Sequence, residues 1–224
     1  MNWLIFALLA PLIYSAVNFA DKYIIKSDLI DYRGMPIYTA IIGGLFGTLG
    51  WFIIGTPIID FQNAPLISLS GILAIFAYAL YYKSISQETA SKIILYIQIT
   101  PVMVLILSFI FLKEVISSRQ FIGFILIITA ALGIVFTLHK DKLKYSKTPI
   151  LNFLYILFAD LLWASAIVIL SYVTTTNHPF IVIIYKSWGL AIGGILLYGL
   201  FGDIKKSFLL TQLSQLKLAS KPLM

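Results

Sequence analysis

An all-α fold, a polytopic transmembrane helix bundle, is what this sequence predicts, and three observations predict it. Seven apolar runs, at 3–20, 35–55, 66–83, 93–112, 121–138, 150–172 and 180–201, occupy almost the whole chain. Each is close to the roughly twenty residues that a helix rising 1.5 Å per residue needs to cross a bilayer core of about 30 Å. Hydrophobic residues make up 60% of the chain and charged residues 11%, the inverse of a water-soluble domain. Apart from Lys186, the lysines and arginines fall in the breaks between runs or at a run's end, where they meet lipid headgroups, so the formal charge of +7 is no sign of nucleic acid.

The first run opens at Met1-Asn2-Trp3 without a basic leader and is long enough to stay in the membrane. Ser27-Asp28 and Arg33-Gly34-Met35-Pro36 close it off from the second. Gly55-Thr56-Pro57 and Asn63-Ala64-Pro65 frame the connection to the third, glycine and proline being the residues that stop and start helices. Ser84 to Thr89 and Lys113 to Gln120 separate the third, fourth and fifth runs. A longer polar break, beginning at His139 and covering 139–149, reads as a linker between two halves, 1–138 and 150–224. Without cysteine, thiolate chemistry and disulfides are excluded.

The halves resemble each other. Ala10 to Ala16 aligns with Ala159 to Ser165, and Ala40 to Leu45 with Leu190 to Ile195, at offsets near 150 residues and in the same order. Runs one and two then correspond to runs six and seven. Five spans per copy is an odd number, so the second copy enters the membrane from the opposite side, and seven runs become part of a ten-span inverted 5+5 arrangement. The chain reaches Met224 just where an eighth span is expected, near 216; Ser207–Leu218 is alternatively a short interfacial helix with Phe208, Leu209, Leu213 and Leu216 toward lipid.

Candidate functional residues follow from what a bilayer makes expensive. Asp160 is the one acidic residue well inside a run, and Lys186 of the next run is a candidate ion-pair partner. Pro101 removes a backbone hydrogen bond midway along the fourth run, marking a hinge or a cavity wall. Asn18, Tyr78, Gln98, Thr100, Trp163 and Trp188 are polar or amphipathic groups able to line a cavity for a small organic molecule, whereas Tyr82, near a run's end, fits an interfacial belt. Gly43 and Gly47, and Gly189 and Gly193, are spaced i, i+4 as helix-packing faces. Glu114 and Gln120 read as turn-stabilising, with Ser117-Ser118 capping the fifth helix. Neither a metal cluster nor a cofactor motif nor a catalytic constellation is present in the sequence, so an enzyme is the weakest reading.

Tyr81-Tyr82-Lys83-Ser84-Ile85, Ala90-Ser91-Lys92, Ile99-Thr100-Pro101-Val102, Phe111 to Gln120, Gly123 and Gly133 together resemble the EamA domain of the drug/metabolite transporter superfamily. Asn18, Asp21-Lys22-Tyr23 and Trp163 also resemble that family. The resemblance implies a ten-span, multi-pass carrier of small metabolites or drugs in a prokaryotic plasma membrane, working by alternating access, with both termini cytoplasmic. The basic residues imply the opposite orientation: thirteen lie in connections one, three and five and the tail, against Lys113 and Arg119 on the other side. Partners expected on this reading are the bilayer, a small-molecule substrate and a coupling ion. The alternative is a truncated or partner-dependent fragment, inactive alone, completed by a second copy or by another chain that supplies the missing helices.

Overall fold

The computed structural model describes residues 3–27, 30–115, 117–138 and 149–219. The expected linker 139–148, with His139, and the last five residues lie outside them, as does Asp28. The helices are α1 (Trp3–Lys26), α2 (Met35–Ile53), α3 (Asn63–Gln87), α4 (Ala90–Ile97), α5 (Thr100–Leu107), α6 (Ser118–Leu138), α7 (Pro149–Thr174), α8 (Pro179–Leu200) and α9 (Gly202–Ala219). Among the described residues five stretches are long and apolar enough to cross a membrane: α2, α3, Ala90–Leu112 (α4 with α5 and the turn after it), Leu151–Thr174 of α7, and α8. Helices α1 and α6 have the length as well, 24 and 21 residues.

Proline in the first turn sets several starts, since its fixed φ suits that position and its missing N–H is unneeded there. Pro36 does this for α2, Pro101 for α5 and Pro179 for α8. Helix α6 opens with a capping box: Gln120 Oε1 accepts from the Ser117 backbone N–H at 2.9 Å, and the Gln120 N–H donates to Ser117 Oγ at 3.3 Å.

The bundle is built around α3, which packs heavily on both α7 and α8. Its buried residues, Ile67, Ser70, Gly71, Ala74, Ile75, Ala77, Tyr81, Tyr82, Ser84 and Ile85, are mostly small around Ser70 to Ala77, apart from Ile75, and include two tyrosines toward the C-terminal end. In lipid no hydrophobic force drives helices together, so small residues that let backbones approach decide where they cross. A methyl group on Gly71 would fall on the Lys186 carbonyl and on the backbone of Gly189 and Leu190; one on Gly189 would fall on the Ser68 backbone. Gly193 faces Ile72 and Ile75 of α3, so the Gly189/Gly193 pair serves the α3–α8 contact. Gly43 and Gly47 serve a different one, α2 against α8, where they meet Leu190 and Ser187.

The outward faces of α2 and α8 carry Ile42, Leu45, Phe46, Leu49, Ile183 and Ile195, all exposed, as a lipid-facing surface requires. Helix α9 departs from the sequence expectation. It starts at Gly202, one residue after α8, and Phe208 is buried between Tyr38 and Tyr198 instead of facing lipid. The gap between the ends of α2 and α8 is apolar and aromatic, so the phenyl ring is better placed there.

Gly71→Ala is expected to destabilise the folded protein by about 1–3 kcal/mol or more, because the added methyl meets backbone that cannot turn aside. Gly123→Ala, with open space at its Cβ, is expected to be near neutral. Thermal unfolding of the two variants in the same detergent checks the contrast.

Candidate functional site

Span four is not one helix. Helix α4 ends at Ile97, Gln98 and Ile99 form a turn bonded back to Leu95 and Tyr96, and α5 starts at Thr100. Pro101 cannot donate to the carbonyl one turn earlier, that of Ile97, which is why the break falls here. After α5 the backbone loosens into a π-turn, Ser108–Leu112, and Lys113 ends it at φ 56°, in the left-handed region. Helix α5 is therefore a two-turn rod between two discontinuities.

That broken segment, with α1, α3, α7 and α8, lines a cavity of about 770 Å³. Of the residues expected from the sequence, Asn18, Tyr78, Gln98, Thr100, Pro101, Trp163 and Lys186 line it. Two do not. Asp160 is fully buried behind Thr100, whose hydroxyl donates to Oδ1 at 2.7 Å. Trp188 belongs to an aromatic group with Trp51 and Tyr185 and donates to Thr48 Oγ1 at 3.2 Å, bracing α8 on α2.

The cavity's aromatic wall is one connected cluster. Trp163 meets Tyr78 edge-on at 5.4 Å and Tyr81 at 5.7 Å, and Tyr78 stacks on Tyr82 at 5.9 Å. Tyr82 is thus no belt residue: it is buried, and its hydroxyl shares a 3.0 Å hydrogen bond with Thr39. Its ring is turned inward because α2 and α3 close over it there. The Tyr81 hydroxyl lies 2.6 Å from Asn18 Oδ1 and 3.2 Å from Asp21 Oδ2, joining α1 to α3 beside the cavity. Just beyond, Lys22 Nζ donates to the Ile85 carbonyl at 2.5 Å, a cation satisfying the end of α3.

The Asp160–Lys186 ion pair does not form. Helix α3 stands between α7 and α8, and counting from the ends joined by their loop, Asp160 lies about seven residues deeper, roughly 10 Å at 1.5 Å per residue. Among the described residues the one ion pair is Lys92–Glu88 at 3.0 Å, and no group of His, Asp and Glu has a metal-binding arrangement. Asp21, Tyr81, Ser108 and Glu114 also line the cavity and were not among the residues expected there. Tyr81 and Asp21 lie near the ends of apolar runs, where the sequence marked them only as part of the EamA resemblance; Glu114, read there as turn-stabilising, follows the π-turn, which no local pattern announces.

A family model described as the EamA-like transporter family matches residues 1–136, more than half of the sequence and the region that holds α1 to α5 and nearly all of α6. The chain belongs to the EamA-like transporter family. Comparison with curated proteins finds no match. As an EamA-like chain with several membrane-length apolar helices, it is a multi-pass membrane protein, and its cavity is a feature of a transporter-family protein. The matched region contributes Asn18, Asp21, Tyr78, Tyr81, Gln98, Thr100 and Pro101 to that cavity. Trp163 and Lys186 come from beyond it.

Tyr81→Phe is expected to loosen α1 from α3, lowering stability by about 1 kcal/mol for the lost hydrogen bonds. A lower unfolding midpoint, together with faster hydrogen exchange in α1, is the signature to look for.

Proposed function

We propose that the chain carries a small organic solute, a metabolite or a drug, across a prokaryotic plasma membrane by alternating access through the cavity between α1, α3, α5, α7 and α8. The observation that carries this reading is the cavity itself. At about 770 Å³ it falls in the range of small-molecule sites, it is walled mostly by apolar and aromatic groups, and a few polar ones converge on it. Trp163, Tyr78 and Tyr81 supply flat surfaces for the solute, while Asn18, Gln98 and Lys186 supply hydrogen bonds and charge.

Residues 1–138 then act as one repeat and 150–224 as part of an inverted second, with 139–149 between them. The packing of α2 on α8, which correspond under that repeat, supports the arrangement. Alternating access needs a wall that moves, and α5, flanked by a break and a π-turn, is suited to it.

A second reading is favoured by α1. Tyr14 lines the cavity yet is 66% exposed, and Leu12 and Ile13 beside it are exposed as well. The cavity is open along that flank, so transport would require further helices, from a second copy or a partner chain, to close it.

The test is solute uptake into proteoliposomes across a panel of amino acids, sugar derivatives and lipophilic cations, with the chain alone and with three spans added. Uptake of a solute is expected, and Trp163→Ala with Tyr78→Ala is expected to raise its half-saturating concentration about tenfold, the equivalent of about 1.4 kcal/mol. Uptake only in the extended chain selects the second reading. No uptake of any solute in either form refutes transport.

A further inference from the structure

Asp160 has an environment that the solute pathway does not explain. It is fully buried on α7, one oxygen accepts from Thr100, and Oδ2 is buried without a hydrogen-bond partner among the described residues. The elements packed on α7 bring no counter-charge to it. Helix α3 carries Tyr78, Tyr81, Tyr82 and Lys83, and Lys83 is taken by the Tyr155 hydroxyl of α7 at 2.8 Å. Helix α4 carries Lys92, paired with Glu88, and Tyr96, whose ring packs on Phe153; α5 and the π-turn carry no titratable group. Helix α8, which touches α7 lightly, carries Tyr185, Lys186 and Tyr198, and Lys186 lies two turns away in depth.

A carboxylate with one hydrogen bond and no cation is costly in such a place, whereas the neutral acid is not. A sodium ion would need several oxygens around it; here Oδ1 already accepts a hydrogen bond from the Thr100 hydroxyl, and among the described residues no polar atom is bonded to Oδ2.

We infer that Asp160 is a proton-binding site, the proton carried on Oδ2, and that it exchanges when α5 moves. Binding adds one proton to the carboxylate and changes no other covalent bond. Thr100 and Pro101 are both cavity wall and the first residues of α5, and Thr100 is the lid between Asp160 and the cavity. Swinging α5 at the Gln98–Ile99 break uncovers Oδ2, lets the proton leave, and moves that wall in the same step. Use of the proton to drive a solute rests on the transport reading; the site and its link to α5 do not.

The experiment is therefore done without solute. The full chain in lipid nanodiscs is titrated with acid and base while infrared difference spectra follow the protonated carboxyl band; of its four tryptophans, the share of the emission lost in Trp163→Phe reports on the one a turn from Asp160. Eight other Asp and Glu side chains titrate as well, so the band that counts is the one Asp160→Asn removes; it and the emission change are expected to share one midpoint. Asp160→Asn should abolish both, Asp160→Glu should keep a titration, Asp60→Asn, at an exposed carboxylate away from the cavity, should leave both unchanged, and Thr100→Val should shift the midpoint. No carboxyl band removed by Asp160→Asn, a midpoint untouched by Thr100→Val, a removed band that does not titrate in the native chain, or a response to sodium at constant pH overturns the inference. If Asp160→Asn does not fold, the Thr100→Val midpoint still decides. Intact titration with no solute uptake counts against transport alone, and uptake without titration counts against the proton site alone.

Discussion

The backbone contact between α3 and α8 at Gly71 and Gly189 is the constraint on which the other packing rests. Once these two helices touch backbone to backbone, α3 is held in the centre and α7 must take its other face. That position separates α7 from α8, although they follow each other in sequence, and it sends Asp160 and Lys186 into different surroundings. It also aligns the large end of α3 with α1 and α7, so that Tyr78, Tyr81 and Trp163 meet beside the cavity. Small residues at one depth and aromatic ones at another thus produce a bundle that is tight at one level and hollow at the next.

Polar groups in this bundle fall into two kinds. Some join helices and leave nothing over: Tyr82 with Thr39, Trp188 with Thr48, Lys22 with the end of α3. Others have capacity left on the cavity wall, Gln98 and Lys186 among them, and these are the ones available to a solute. Asp160 stands apart from both kinds, half satisfied and shut away. The neighbouring break in span four faces the cavity, as it must, because non-helical backbone at membrane depth is admitted only where it is buried in protein or faces a cavity. Hinge, cavity wall and buried acid are thereby gathered at one place.

Much of the fold was legible in the sequence because a bilayer leaves few options. Apolar runs of fixed length must be helices, since no other open structure satisfies its backbone in lipid. The prolines and glycines between them located the helix starts to within a few residues, and Pro101 located the break. The family likewise could be read, from the text between Tyr81 and Gly133, and the family model covers all of that region. Part of the cavity wall, Asn18, Tyr78, Gln98, Thr100, Pro101, Trp163 and Lys186, was legible for a related reason: polar side chains and prolines within apolar runs are few.

What the sequence determined by itself, then, was residence in the membrane, helical class and the short list of side chains worth placing. Which of them share a cavity was decided only in three dimensions. Spacing along a helix says which face a residue is on, but not which helix that face meets. Gly43 and Gly189 have the same local pattern and serve different contacts; Trp163 and Trp188 are both tryptophans within apolar runs, and one walls the cavity while the other braces α8. Asp160 and Lys186 looked like partners along the chain, and the helix wedged between theirs keeps them apart. Neighbourhood is a property of packing, and here packing was settled by a few missing side chains on α3 and α8.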